Sequence, residues 1–419
     1  MKEIVIIGGG ASGLLASIVL KSELKDNARI TIVERLERVG KKILATGSGK
    51  ANFTNEHIKS NRYNHPNFVN KLFKKYGFKE VKEYFNHLGL MTTTLTEGRV
   101  YPKSENASSL LDVLRNKIRE YGIEEKCNFD VKKITNNHEK YVIESTRGLK
   151  VSADYVILAT GGKATPILGS NGTGYQLAKS LKMKVTNVLP GLVGIKVDEA
   201  SIKGLEGLRV KAQVSLFAKK NKEAVWESHG EVQFKAEAVS GIVVMDMASQ
   251  IARAENEKAF NATHFVLDLC PEMTLEELTN YLINRQVELH KYTNANFLIG
   301  IFHKMLGNNV LKRAKVDVSG YVENLNNKDI ERIAKAIKNF LIPIKGLDSF
   351  DHAQVTVGGV SIDEVIPETL ESRKNAGLYV CGELLDIDGD CGGFNLQWAW
   401  TSALVATNAI IERINNSLN

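Results

Sequence analysis

Cysteine is scarce in this chain and follows no pattern. Cys127, Cys270, Cys381 and Cys391 form no CxxC pair and no metal-ligand spacing, which points away from a metal site or a disulfide framework and toward reduced thiols in the cytoplasm. The nine histidines include no HExxH and no other ligand cluster, so no metal is expected. No apolar run is long enough to span a membrane. Residues 4 to 20 are uncharged after Lys2, like a signal-peptide core, but they carry glycines in a nucleotide-binding pattern and no small-residue cleavage site follows. Repeats and low-complexity segments are missing too. Acidic charge falls slightly short, 48 acidic against 55 basic residues. A Lys-rich solvated surface explains that excess most simply; a polyanionic partner such as RNA is the sharper reading.

What the chain does have begins at residue 4. Ile4 to Ile7 predict a short apolar strand, Gly8, Gly10 and Gly13 fill the three glycine positions of GxGxxG, and Leu14 to Leu20 begin a helix. Ile30 to Val33 predict a second strand ending at Glu34. The glycines allow a tight turn, close backbone approach to a pyrophosphate, and close packing of helix on strand. Phosphates then meet free N–H groups at a helix N-terminus. Glu34 suits a ribose hydroxyl and would repel a 2′-phosphate, which disfavours NADP at this site.

At 419 residues the chain is long enough for two or three domains. Gly40 to Asn55 read as a loop rich in glycine, hydroxyls and amides. Two amphipathic helices follow, with core faces of Phe68, Leu72, Phe73 and Tyr76, then Val81, Tyr84, Phe85 and Leu88; residues 107 to 121 predict another. Residues 129 to 158 read as a β-meander whose third strand is DYVILAT. It ends in a second glycine turn at Thr160, Gly161 and Gly162. Residues 190 to 350 change character and read as an insert, 190–271 mainly β and 272–342 mainly helical. Its helical signals are Leu275, Leu278, Leu282 and Val287, then a helix from Asp329 to Leu341. The flanks, 1–189 and 351–419, form one Rossmann-like domain.

The C-terminal end returns to nucleotide chemistry. Gly377 to Glu383 is an apolar strand ending in glycine, with Asp386 just past it. Gly392 and Gly393 precede a long helix opening near Asn395. A second strand, glycine loop and helix suits a flavin: one helix start takes the ADP pyrophosphate, and the other faces the N1 and C2 carbonyl edge of the isoalloxazine, where the dipole stabilises the reduced anion. NAD alone would not need the far end of the chain, so FAD is the better inference.

These motifs resemble the BaiN-like flavoproteins, NAD(P)/FAD-dependent oxidoreductases related to aminoacetone oxidases. The resemblance rests on VIIGGGASG, GKKILATGSGKANFTN, EGRVYP, ATGGKATPILGSNGTGY and the block from Gln354 to Ala403. It implies an α/β fold, a Rossmann-like FAD-binding domain with an inserted β-barrel and a small helical subdomain. It places FAD against Gly8, Gly10, Ala11, Ser12, Gly13, Glu34 and Arg35. Lys41, Lys42, Gly47, Gly49 and Asn52 belong to the loop contacts, and Val131, Thr160, Gly161 and Gly162 to the middle of the chain. Gly359, Gly382, Glu383, Asp386, Gly392, Gly393, Phe394 and Asn395 complete the set. The chain departs from the family where Lys50 and Ala51 replace an Arg and a Cys, losing planar bidentate contact. It departs again at Ile242, where a proline is common, which puts the local turn in doubt.

The flavin would carry the chemistry: reduction by NADH or NADPH, then hydride transfer to an acceptor, with any nicotinamide docking only transiently. Thr356 to Val360 would bring glycine backbone against the ring system. Lys50, Asn52, Thr54, Arg99 and Tyr101 are the candidates near the substrate, Tyr101 as a proton donor. Cys391 reads as a small core thiol, and Trp398 and Trp400 as packing residues. Three activities stay open: reduction of an activated C=C bond in a small molecule, dihydrouridine synthesis in ribosomal RNA, and oxygen-dependent oxidation of an aminoacetone-like amine.

Overall fold

The computed structural model describes residues 1–137, 140–219 and 221–418. The N-terminal apolar run forms strand β1 (Lys2–Ile7), turns through Gly8 to Gly10, and continues as helix α1 (Ala11–Leu24). β2 (Ala28–Val33) follows and delivers Glu34. Then come β3 (Thr54–Asn55), α2 (Pro66–Phe73), α3 (Phe78–His87), β4 (Thr92–Thr94) and β5 (Arg99–Pro102). Phe68, Leu72, Val81 and Phe85 are buried as their spacing predicts. α4 (Ala107–Glu120) starts at Asn106, whose side chain accepts from the Ser108 N–H, and leads to β6 (Glu124–Lys126).

β7 (Val131–Asn136), β8 (Tyr141–Ser145) and β9 (Lys150–Ala153) form the antiparallel meander. Residues 138 and 139, within the span read as the meander, lie outside the described residues. The predicted third strand, DYVILAT, is corrected: Tyr155–Leu158 is a separate strand, β10, pairing parallel with β1 through Ile4 opposite Tyr155. Asp154 makes the break, its carboxylate accepting the Glu3 N–H at 2.7 Å. A strand apolar on both faces belongs inside a parallel sheet, not on a half-exposed meander. α5 (Thr173–Ser180) and β11 (Leu189–Gly191) end this part of the chain.

Leu192–Ser349 form a compact unit of their own. It holds β12 (Ile195–Val197), the short α6 (Glu199–Ile202), β13 (Arg209–Ala218), β14 (Trp226–Phe234), β15 (Ala238–Ser240), α7 (Ile242–Glu257) and β16 (Ala262–Asp268). Next come α8 (Leu275–Glu288), α9 (Asn294–Phe297), α10 (Lys304–Arg313), α11 (Asn327–Lys338) and β17 (Phe340–Leu347). The strands close a barrel in the order β12, β15, β14, β13, β16, β17. α7 does form at Ile242: Gly241, at φ +105°, makes the turn into the helix, and the first helical position accepts isoleucine in place of proline. The periodic pattern of α8 overreached, because Leu275 and Val287 are exposed and Leu278 and Leu282 carry its buried face. Likewise Phe340 and Leu341 belong to β17 instead of the preceding helix.

The chain then rejoins the first unit, which comprises Met1–Gly191 and Phe350–Asn419, through β18 (Val355–Val357), β19 (Leu378–Val380) and α12 (Phe394–Leu418). Its central sheet runs β19–β10–β1–β2–β6, all parallel. α1 packs on α12 and is buried almost all round from Ser12 to Leu20, as expected of a helix apolar on every side. Trp398 and Trp400 are fully buried in α12, each with its indole N–H satisfied, by Gly382 O at 3.0 Å and Phe53 O at 2.9 Å. Because β1, β10 and β19 are parallel, their C-terminal ends lie along one edge, where open α/β sheets bind ligands.

Candidate active site at two glycine-led helix starts

The first helix start is built by exclusion. Gly8 sits at φ +108°, and a side chain there would meet the Ala159 carbonyl oxygen at 2.4 Å. A Cβ on Gly13 would lie 2.0 Å from Gly8 O. Gly10, by contrast, faces open space, with nothing within 4 Å of a Cβ. It is the N-cap of α1 and supplies no side-chain cap, which leaves the first-turn N–H groups of α1 for a ligand. Beside them Glu34 is buried, its two carboxylate oxygens accepting the Gly9 N–H at 2.8 Å and the Leu36 N–H at 2.9 Å. Burial raises its pKa above the usual carboxylate value, against the pull of those two bonds. Arg35 is turned to Gly169 O, 3.1 Å away.

β10 and β19 bring the other segments to this edge. Ser12, in the first turn of α1, touches Gly382: a Cβ on that glycine would be 2.6 Å from Ser12 Oγ. Gly161 lies against Ser170, and Gly162 faces both Thr356 Oγ1 and Glu383 Oε1. Glu383 accepts the Thr356 N–H at 2.8 Å and pairs with Lys42 at 3.0 Å. Gly359 packs on the Leu384 carbonyl. Asp386 is engaged by Thr186 Oγ1 at 3.0 Å and by Asn64 Nδ2 at 3.1 Å.

The second helix start is α12. Gly392 and Gly393 stand at φ +118° and +99°, and a Cβ on Gly393 would press within 2.4 Å of Thr54 O and 2.9 Å of Asn52 Oδ1. The loop holding Gly47, Gly49 and Asn52 therefore lies on the start of α12. Thr54 Oγ1 donates to Gln397 Oε1 at 2.5 Å, Tyr63 OH to Phe394 O at 2.7 Å, and Asn55 Nδ2 to Gly392 O at 2.9 Å. Asn395 ties its own loop, donating to Gly389 O at 2.8 Å and accepting the Gly389 N–H at 2.9 Å. Asn52 is nearly buried, and its Oδ1 has no hydrogen-bond partner, although buried polar atoms are rarely left unpaired.

The sequence matches a family described as HI0933-like protein Rossmann domain over residues 2–409. The chain belongs to this family. The HI0933-like chain is 38% identical over 416 residues to the 3-dehydro-bile acid delta(4,6)-reductase of Clostridium scindens, covering 99% of this chain and all of the relative. It is 25% identical to the ribosomal RNA dihydrouridine synthase of Escherichia coli, covering 98% of both. Among solved structures it is similar to 3-ketosteroid delta1-dehydrogenase from Sterolibacterium denitrificans, at 12% identity and a TM-score of 0.49, over 99% of this chain and 100% of that one.

Four cations ring the glycine loops of this HI0933-like protein, each paired with a carboxylate: Lys42 with Glu383, Lys50 with Glu105, Arg62 with Asp390 and Arg99 with Glu97. Lys50 is exposed, 2.8 Å from Glu105, while Tyr101 is buried on β5. Lys41 points instead to Glu37, 4.0 Å away, and Val131 is buried at the start of the meander. Cys391 is only half-buried, which corrects its reading as a core thiol: it sits in the surface loop between Asp390, tied to Arg62, and Gly392. Among the described residues no group of three or more His, Cys, Asp or Glu could hold a metal ion, and no helix is long and apolar enough to cross a membrane.

Sequence reasoning missed Thr356, whose hydroxyl accepts the Lys163 N–H at 2.7 Å and the Ala164 N–H at 3.2 Å. It also missed Gln397 under the helix start. Thr356 opens the segment from Thr356 to Val360 that was read for its glycine backbone, but only the fold shows what its hydroxyl holds. Gln397 carried a usable signal, a polar residue one turn into an otherwise apolar helix.

Proposed function

We propose that this chain is an FAD-dependent reductase that takes electrons from NADH or NADPH and passes hydride to an electron-poor C=C bond in a small molecule. At the coarser level it is a flavoprotein oxidoreductase. The observation that carries the reading is the meeting of two glycine-led helix starts from opposite ends of the chain, α1 at Gly10 and α12 at Gly393, at one edge of one parallel sheet. The residues fit FAD. The bare first turn of α1 would hold the pyrophosphate, and Glu34 a ribose hydroxyl. Glu383, beside Gly162 and Thr356, would accept a ribityl hydroxyl, and the unpartnered Asn52 Oδ1 would accept a ring N–H. When bound, the flavin supplies two-electron transfer; the protein binds it, orients it and fixes the charge around it.

The full-length 38% relative, named for a reductase of a 3-dehydro-bile acid, supports a conjugated carbonyl compound as acceptor. A second reading, dihydrouridine synthesis in ribosomal RNA, is favoured by the net charge of +7 and by two more distant relatives so named. A cytoplasmic location is part of this proposal, and the scarce, unpatterned cysteines support it. The test is anaerobic: load the protein with FAD, follow bleaching by NADH and by NADPH, then add a 3-oxo-4-ene steroid or unmodified ribosomal RNA. Reoxidation by the enone supports the first reading. Reoxidation only by RNA, with binding that weakens steeply with salt, replaces it by the second. A protein that takes up no FAD overturns both.

A further inference from the structure

The start of α12 carries an excess of positive character that its own helix does not neutralise. The first turn contains no acidic residue, and a helix N-terminus has the character of a partial positive charge. Arg99 projects from β5 onto this point: its Nε lies 3.6 Å from where a Cβ on Gly392 would be, beside Asn55 Nδ2 at 3.7 Å. Asn55 bonds Gly392 O and also Glu97 O, at 3.2 Å, so one amide clamps the glycine loop and the turn before Arg99 together. The Arg99 side chain is only 20% exposed, whereas its partner Glu97 is 72% exposed. The arginine side chain is thus largely desolvated, while the carboxylate in contact with it is largely solvated and the more screened of the two. The buried, unpartnered Asn52 Oδ1 against Gly393 is an independent sign that a polar ligand completes this place.

We infer that Arg99 is the side-chain charge that tunes the bound flavin, favouring the anionic reduced ring together with the α12 helix start, and that Glu97 attenuates it from the solvent side. This rests on the FAD reading above. It makes Arg99 part of the electrostatics of the cofactor and not an anchor of the acceptor. Removing the guanidinium raises the energy of the reduced anion and lowers the reduction potential. Removing the carboxylate strengthens the field of the guanidinium and raises the potential.

The test uses the full chain loaded with FAD, as wild type, Arg99→Met, Arg99→Lys and Glu97→Gln. Midpoint potential is measured by dye equilibration, and sulfite affinity of the oxidised protein by absorbance. Arg99→Met is expected to weaken sulfite binding by about tenfold, the scale of a charge interaction near a protein surface. Tenfold in the two-electron equilibrium corresponds to a potential lower by about 30 mV. Arg99→Lys recovers part of both shifts, and Glu97→Gln moves both the opposite way. A purely structural role would not give opposite signs at the two residues. Unchanged potentials and sulfite affinities in FAD-loaded Arg99→Met and Glu97→Gln overturn the inference and leave the FAD reading standing. If Arg99→Met fails to fold, Glu97→Gln decides alone. Wild-type protein without bound flavin overturns both.

Discussion

The two helix starts use one backbone device with opposite surroundings. At α1 the glycine turn faces open space beside a buried acid, Glu34, already held by two backbone N–H groups. At α12 the glycine turn is crowded by Thr54 and Asn52, and two arginines pair with acids of that region, Arg99 with the exposed Glu97 and Arg62 with the largely buried Asp390. A dipole next to an acid suits a phosphate joined to a ribose with a free 2′-hydroxyl. A dipole next to cations favours negative charge that appears during reaction. On the proposed FAD reading the first site would hold the cofactor and the second would tune it. The distinction lies in the side chains that arrive from distant segments, not in the glycines.

The most local way to break the comparison is steric. Gly13→Ala places a methyl 2.0 Å from Gly8 O and should cost about 3 kcal/mol through forced backbone shift, with flavin lost on purification; thermal unfolding and the absorbance ratio check it. Removing Trp400, buried on α12 with its indole bonded to Phe53 O, should destabilise by about 3–5 kcal/mol as Trp400→Ala. It should release the second helix start before the first, which hydrogen exchange reads as earlier opening of residues 53–55 than of residues 4–13. Glu34→Gln sharpens the comparison more gently. It should weaken FAD binding by about 1.5–3 kcal/mol, the worth of a hydrogen bond to a charged group, and leave the reduction potential unchanged. The smallest effect is a pH dependence. Because burial raises the Glu34 pKa, this carboxyl takes up its proton at a higher pH than an ordinary glutamate. FAD affinity should fall as the pH drops through that range, and the fall should vanish in Glu34→Gln. Titration of FAD binding against pH measures it.

Much of this site was legible in the sequence because turn chemistry is local. GxGxxG, the Glu34 spacing and the Gly392–Gly393 helix start each need only a few consecutive residues to declare a strand, a turn and a helix. Residue pairings that cross the chain were not legible. Lys42 and Glu383 are 341 positions apart, and nothing near either one announces the other. Asp386 was read as a cofactor contact just past a strand end, and nothing near it announced Thr186 and Asn64, which reach it from distant segments. β10 was misplaced for a related reason: a short apolar strand has the same pattern in a meander as in a parallel sheet, and only the partners decide. The exposed Val287 shows the converse limit, since a 3.6-residue rhythm marks a face without saying what covers it.

The central claim, that one flavin is held at both helix starts, is tested most directly by calorimetric titration of FAD and of ADP into wild-type protein and Gly393→Val. The account predicts that wild type binds FAD far more tightly than ADP. It predicts that Gly393→Val loses this advantage while its ADP affinity stays at the wild-type value. Equal affinities for FAD and ADP in the wild type, or a Gly393→Val protein that binds FAD normally, would contradict it.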